Sequence, residues 1–130
     1  MGSTNNIAKL VFAMRDELLY PLNQVLASSD FLLQETFLDD LQRKFLHSIH
    51  SVAQDLQNII VMTSPELMTI ERAKEMFSYE TRELLSSMIG YAEVLASEED
   101  GELTQIQQQH VANIHAYAIE LLDIITEIMD

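Results

Sequence analysis

Residues 42–60 read QRKFLHSIHSVAQDLQNII, and residues 107–125 read QQQHVANIHAYAIELLDII. In the first, Leu46, Ile49, Ala53, Leu56 and Ile60 recur at steps of three and four. In the second, Val111, Ile114, Ala118, Leu121 and Ile125 do the same, and Ile128 continues the row. Such spacing places each row on one helix face, as a seam with a period of about 3.5 residues. The two seams lie 65 residues apart, and Gln42, His50 and Asp55 fall on Gln107, His115 and Glu120 in the same register.

The stretches before them repeat as well. Val11, Met14, Leu18, Val25 and Leu32 share a face, with Pro21 or Leu22 at the intervening step. Phe77, Thr81, Leu84, Met88, Tyr91 and Leu95 form a matching seam. Met14, Glu17, Leu18, Leu22, Val25, Leu26 and Leu32 correspond to Phe77, Glu80, Thr81, Leu85, Met88, Ile89 and Leu95, 63 residues on. The change in offset falls in a hairpin loop, where insertions are tolerated. The chain therefore reads as a duplicated helical hairpin, each copy needing the other to cover its apolar stripe.

The breaks are legible too. Thr4 is a candidate N-cap, and ETFLDD at 35–40 interrupts the first pattern. Ser64-Pro65-Glu66 reads as a helix start, with a capping serine, a first-turn proline and an acid near the positive end. Glu98-Glu99-Asp100-Gly101 is a solvated turn and Thr104 a cap. These signals predict helices at about 5–34, 38–62, 65–97 and 103–129. Short loops place successive helices antiparallel. The expected fold is all-α: one domain over 1–130, an up-down-up-down antiparallel four-helix bundle of repeats 5–62 and 65–129, with the first helix beside the third.

Composition narrows the function. With 130 residues and no cysteine, one core is affordable, and disulfide scaffolds, thiolate metal sites and cysteine nucleophiles are excluded. Three glycines and two prolines leave no phosphate-cradling glycine loop. The formal charge of −14 argues against nucleic acid and against an anionic membrane surface. No Lys or Arg follows Arg82, so residues 83–130 carry −10 of the net charge and the first 82 residues only −4. That excess reads as a solvated acidic surface, with a halophile's surface or an acidic docking face as the alternatives. No apolar run reaches transmembrane length, and MGSTNN is no signal peptide, so a soluble cytoplasmic protein is expected.

The stretch FSYETRELLSSMIGYAEVL at 77–95 resembles the first helix of the histidine kinase dimerisation and phosphotransfer (HisKA) domain, which typically reads S-H-E-L-R-T-P-L-N-x-I-x-G-F. Ser78, Glu80, Arg82, Leu85, Ile89 and Gly90 match, with Tyr91 near the usual aromatic. FAMRDELLYPLNQVL at 12–26 matches through Met14, Glu17, Leu18, Pro21, Leu22 and Asn23. The second helices of both copies are similar to the family's second helix. In that family the hairpin dimerises into a four-helix bundle, so two hairpins in one chain imply a covalent pseudo-dimer.

The resemblance places the phosphorylated histidine on Asp16 and Tyr79, so the nucleophile is missing twice. The Thr or Asn that positions water in the family's phosphatase reaction falls on Tyr20 and Glu83. Neither supplies a short amide or hydroxyl, and a carboxylate repels an acyl phosphate. No segment resembles a nucleotide-binding domain, so neither ATP binding nor autophosphorylation is expected. His47 and His50 stand three apart, a spacing that can ligate metal on a helix, but His110 and His115 stand five apart. The copies thus support no shared metal site, and no metal or cofactor is expected.

The leading expectation is a non-catalytic module in two-component signalling that docks a response-regulator receiver domain or a sensor kinase as a monomer. The alternatives are a histidine phosphotransfer protein using His47, His50, His110 or His115, and a structural helical adaptor. By resemblance, docking follows the first helix of each copy. The candidate partner-binding residues are Tyr20, Asn23, Gln24, Ala27 and Phe31 beside Asp16, and Glu83, Ser86, Ser87, Gly90 and Val94 beside Tyr79. Ala27 and Gly90 would admit a partner helix closely, and Phe31 is a large apolar residue off the seam. The first copy is the favoured side, because it carries Tyr20 and Phe31. Phe31 covering the hairpin loop is the plainer reading of that residue.

Overall fold

A computed structural model describes residues 6–35, 37–99 and 101–130. The described chain is all-helical: α1 (Ile7–Ala13), α2 (Arg15–Leu33), α3 (Asp40–Met62), α4 (Ile70–Glu75), a π-helical turn (Met76–Glu80), α5 (Thr81–Ser97) and α6 (Gln105–Met129). None of these helices is long and apolar enough to cross a membrane.

The four long helices bury one side each, and the buried rows repeat. Leu18, Leu22, Val25, Ser29 and Leu32 on α2 match Thr81, Leu85, Met88, Ala92 and Leu95 on α5. Gln42, Leu46, Ile49, Ala53, Leu56 and Ile60 on α3 match Gln107, Val111, Ile114, Ala118, Leu121 and Ile125 on α6. The expected seam on α5 is corrected by one residue at two steps. Leu85 and Ala92 are buried, whereas Leu84 and Tyr91 lie half-buried on the flank. Both members of each neighbouring pair are apolar, so periodicity alone admitted either choice. Stacking of Tyr91 on Phe45, with ring centroids 5.6 Å apart, shows how the flank takes up the aromatic.

The expected placement of the first helix beside the third is also corrected. α2 packs against α3 and α6, and α5 packs against the same two helices, so α2 and α5 stand across the core from each other. Their upstream extensions meet, where α1 packs against α4. Ala8 and Ala73 are fully buried there, and small side chains permit a close approach.

The expected helices of 5–34 and 65–97 are both interrupted, and at corresponding places. Met14 breaks the first, with φ −102° and ψ 15°. The second passes through the π-turn that begins beside Phe77, the residue equivalent to Met14, and Thr81 N–H donates to the Met76 carbonyl. Ser64-Pro65-Glu66 does not start a helix. It forms a turn in which the Leu67 and Met68 N–H groups both donate to the Ser64 carbonyl, at 3.2 and 3.1 Å. The helix starts after Thr69, whose hydroxyl accepts from Arg72 N–H at 3.1 Å. Asn6 caps α1 by accepting from Lys9 N–H; the expected cap Thr4 and Asp100 of the acidic turn lie outside the described residues.

The second helices of the copies start alike. Asp39 and Gln42 form a capping box on α3, and Thr104 and Gln107 form one on α6. Each satisfies two otherwise orphaned N–H groups reciprocally. Arg43 ties the first hairpin by donating to the Leu33 and Glu35 carbonyls, at 2.9 and 2.6 Å. At the other loop Gly101 sits against the α3 capping box. Its φ is +155°, and a Cβ there would collide with the Asp39 carboxylate and the Gln42 amide. The second hairpin's loop thus rests on the start of the first hairpin's second helix.

Candidate functional site

The two positions of interest face outward. Asp16 is exposed, and Tyr79 is 71% exposed within the π-turn. Neither helical irregularity was anticipated from sequence, since the apolar spacing runs through both. π-Turns within α-helices occur often at functional sites.

Beside Asp16 lies a groove between α2 and α6 of about 440 Å³, lined by Asp16, Glu17, Tyr20, Pro21, Glu120 and Ile124. Tyr20 is 57% exposed and meets Tyr117 edge-on, with centroids 6.1 Å apart and planes at 78°. Hydrogen bonding to Tyr20 and the charge of that neighbour push the Tyr117 phenol above its ordinary value, with burial and the Glu120 carboxylate adding to the effect. Further along the same two helices, Phe31 stacks on His110 at 4.2 Å and 25°. His110 Nδ1 lies 3.3 Å from Ser28 Oγ. Phe31 therefore packs across to α6 while remaining 44% exposed.

The rest of the first-copy set divides. Asn23 accepts from Gln57 Nε2 at 3.3 Å, which turns it toward α3. Ala27 is exposed and lines a separate groove with Leu26, Asp30, His50, Gln54 and Gln57. Gln24 is half-buried. The five residues thus occupy two sides of α2, because one helix face spans only part of the turn that they cover.

In the second copy, Glu83 and Ser87 line a groove of about 330 Å³ with Ile59, Glu80 and Leu84, between α3 and α5. Ser87 also borders a depression with Lys44, His47, Ser48, Ser51 and Tyr91. Glu80 is held by Arg72 at 2.7 Å. Ser86 is exposed, and Val94 and Gly90 are half-buried. Beyond its chain neighbours and the backbone of its own helix, nothing stands within 4 Å of where a Gly90 Cβ would lie, leaving open space at that position.

The histidines do not converge. His47 is exposed beside Lys44, and His50 is half-buried in the α2/α3 groove. His115 Nε2 lies 3.2 Å from Glu93 Oε2. Among the described residues no three His, Asp or Glu side chains are grouped to hold a metal ion.

The α6 side of the first groove, Glu120 and Ile124 with Tyr117 against Tyr20 beside them, escaped the sequence reading, which followed only the first helix of each copy. The available signal was Tyr117, a large aromatic one step off a strict seam. The capping-box pattern of Asp39 or Thr104 followed by Gln three residues later was likewise readable in advance. Comparison with family models, with curated proteins and with solved structures gives no match in any of the three.

Proposed function

We propose that the chain is a non-catalytic binding module that docks a response-regulator receiver domain or a sensor kinase in cytoplasmic two-component signalling. In this reading it is an up-down-up-down antiparallel bundle of two HisKA-like hairpins, a pseudo-dimer in one chain. The observation that carries the reading is exposed Tyr20, paired with half-buried Tyr117, in a groove lined by Asp16. It lies on the face that the resemblance assigns to docking, and half-exposed aromatics in a groove are the usual anchors of protein interfaces. Asp16 and Tyr79 stand where the resemblance expects histidine, so the module acts by occupancy.

The test is a titration of receiver domains and kinase dimerisation domains into the isotope-labelled chain, read by amide shifts. Tyr20→Ala and Phe31→Ala should each weaken a confirmed partner by about tenfold or more, and Glu83→Ala by less than about twofold. A panel that leaves the spectrum unchanged rejects the two-component reading and favours a structural adaptor.

A second reading is supported by His47, an exposed imidazole whose groove also holds Lys44. A cation beside the ring would offset the charge of a phosphoryl group. Incubation with a phosphorylated receiver would then leave acid-labile phosphate on the chain, and His47→Gln would abolish it.

A further inference from the structure

The α2/α6 groove carries charge of one sign. Asp16, Glu17 and Glu120 are exposed along its rim, over a floor of Tyr20, Pro21 and Ile124. No Lys or Arg lines it, and among the described residues none of the three carboxylates has an ion-pair partner within 4.0 Å. The corresponding region between α3 and α5 differs. There Glu80 is answered by Arg72, and Lys44 and His47 line the adjoining depression. An apolar floor inside an unneutralised acidic rim leaves two requirements unmet at once, apolar cover and positive charge.

We propose that this groove takes a cationic amphipathic helix of a partner protein. Its apolar stripe seats on Tyr20, Tyr117 and Ile124, and its flanking Lys or Arg residues lie against Asp16, Glu17 and Glu120. The proposal rests on the reading of α2 as the docking face and specifies the chemistry of the surface it receives. Helix-in-groove recognition works through apolar anchors spaced on one face. Exposed ion pairs add little affinity, but they set orientation, speed encounter and make binding salt-dependent. Burial of the apolar stripe therefore holds the helix, and the rim selects its charge.

The probe is a synthetic helical peptide with a leucine stripe flanked by lysines, beside the same stripe flanked by glutamines. Each is titrated into the full chain by calorimetry and amide shifts. Asp16→Asn/Glu120→Gln should weaken the lysine peptide about three- to tenfold. Asp55→Asn/Glu99→Gln removes the same charge from exposed positions outside the groove and should leave binding within about twofold. The difference should disappear in high salt. Equal losses in both double variants would mean attraction to the net charge alone and would overturn the proposal. If the glutamine peptide binds as tightly as the lysine peptide, and Tyr20→Ala abolishes both, the docking face stands and the cationic requirement falls. If neither peptide shifts the α2 and α6 amides, both fall. The substituted carboxylates are exposed, and unchanged circular dichroism confirms that each variant remains folded.

Discussion

The groove between α2 and α6 and the groove between α3 and α5 are built from equivalent positions; Glu17 and Ile124 recur as Glu80 and Ile59, and Glu120 as Asp55, whereas the other positions differ. Asp16 faces Tyr79 in the comparison, Tyr20 faces Glu83, Pro21 faces Leu84 and Tyr117 faces Val52. Their inner walls differ far less. Through the layers from Leu18 to Leu32 and from Gln42 to Ile60, the buried positions of α2 and α3 have buried counterparts on α5 and α6, except Pro21 and Ser28, whose equivalents Leu84 and Tyr91 are half-buried. Packing explains the contrast. A buried side chain must fill a fixed volume at interior density, so both copies meet the same constraint. A rim side chain contacts water and can change character at little cost to stability. The fold therefore belongs to what the copies share, and any binding preference belongs to where they differ.

The comparison breaks most severely if the shared layers are unequal. Leu22 and Leu85 are equivalent and both fully buried. Leu22→Ala and Leu85→Ala should each cost about 2–5 kcal/mol, by loss of transfer free energy and creation of a cavity. Both should unfold in one cooperative transition, because the buried residues of the two copies form a single cluster. Denaturant melts followed separately by circular dichroism and tyrosine fluorescence check this. Non-coincident transitions in either variant would mean that the hairpins are separate folding units.

How much of this was readable beforehand follows the same division. The helical class and the repeat came from the spacing of Leu46 to Ile60 and Val111 to Ile125, because burial imposes that period directly. Choosing Leu85 over Leu84, or Ala92 over Tyr91, needed the neighbouring helix, since both members of each pair are apolar. The diagonal relation of α2 and α5 was unreadable because short loops fix sequential neighbours and say little about how two hairpins dock. Ser64 looked like a cap from its own neighbourhood, but its carbonyl instead closes a turn onto Leu67 and Met68. Of the residues lining the α2/α6 groove, the resemblance had singled out Asp16 and Tyr20 on the first helix as candidates. The contribution of α6 was not legible, because a groove between helices has no signature in either helix alone.

A smaller effect is expected at the one layer where an apolar residue in the first copy meets a hydroxyl in the second. Leu18 is fully buried, and so is its equivalent Thr81, whose Oγ1 has no hydrogen-bond partner. Ser29, the other hydroxyl in these rows, donates to the Leu26 carbonyl at 3.1 Å. A buried hydroxyl left unpaired is destabilising, whereas a paired one is nearly neutral. Thr81→Val keeps the shape and removes the orphan, so it should stabilise the chain by about 1 kcal/mol. Ser29→Ala should gain nothing comparable. Chemical denaturation of both variants decides the matter, and equal responses would mean that Thr81 is satisfied in solution.

The smallest effect separates the grooves by titration alone. Tyr117 has Val52 as its equivalent, so only the α2/α6 groove holds a second phenol beside Tyr20. Its pKa is raised above the ordinary phenol value of 10.0, first by hydrogen bonding to Tyr20 and last by Glu120. The folded chain therefore keeps this proton at a pH where the unfolded chain has begun to lose it. By linkage, the associated stability is fully present below pH 10.0 and is lost as pH rises through the raised value. Near-ultraviolet absorbance should resolve one tyrosine titrating later than a free phenol. Tyr20→Phe removes the hydrogen bond and the neighbouring ionisable group together, so it should return that titration toward 10.0. Glu120→Gln, removing the weakest of the causes, should move it in the same direction by less. A Tyr117 titration that ignores Tyr20→Phe would mean that the two rings do not share a groove in solution, and the aromatic floor on which docking depends would be lost with them.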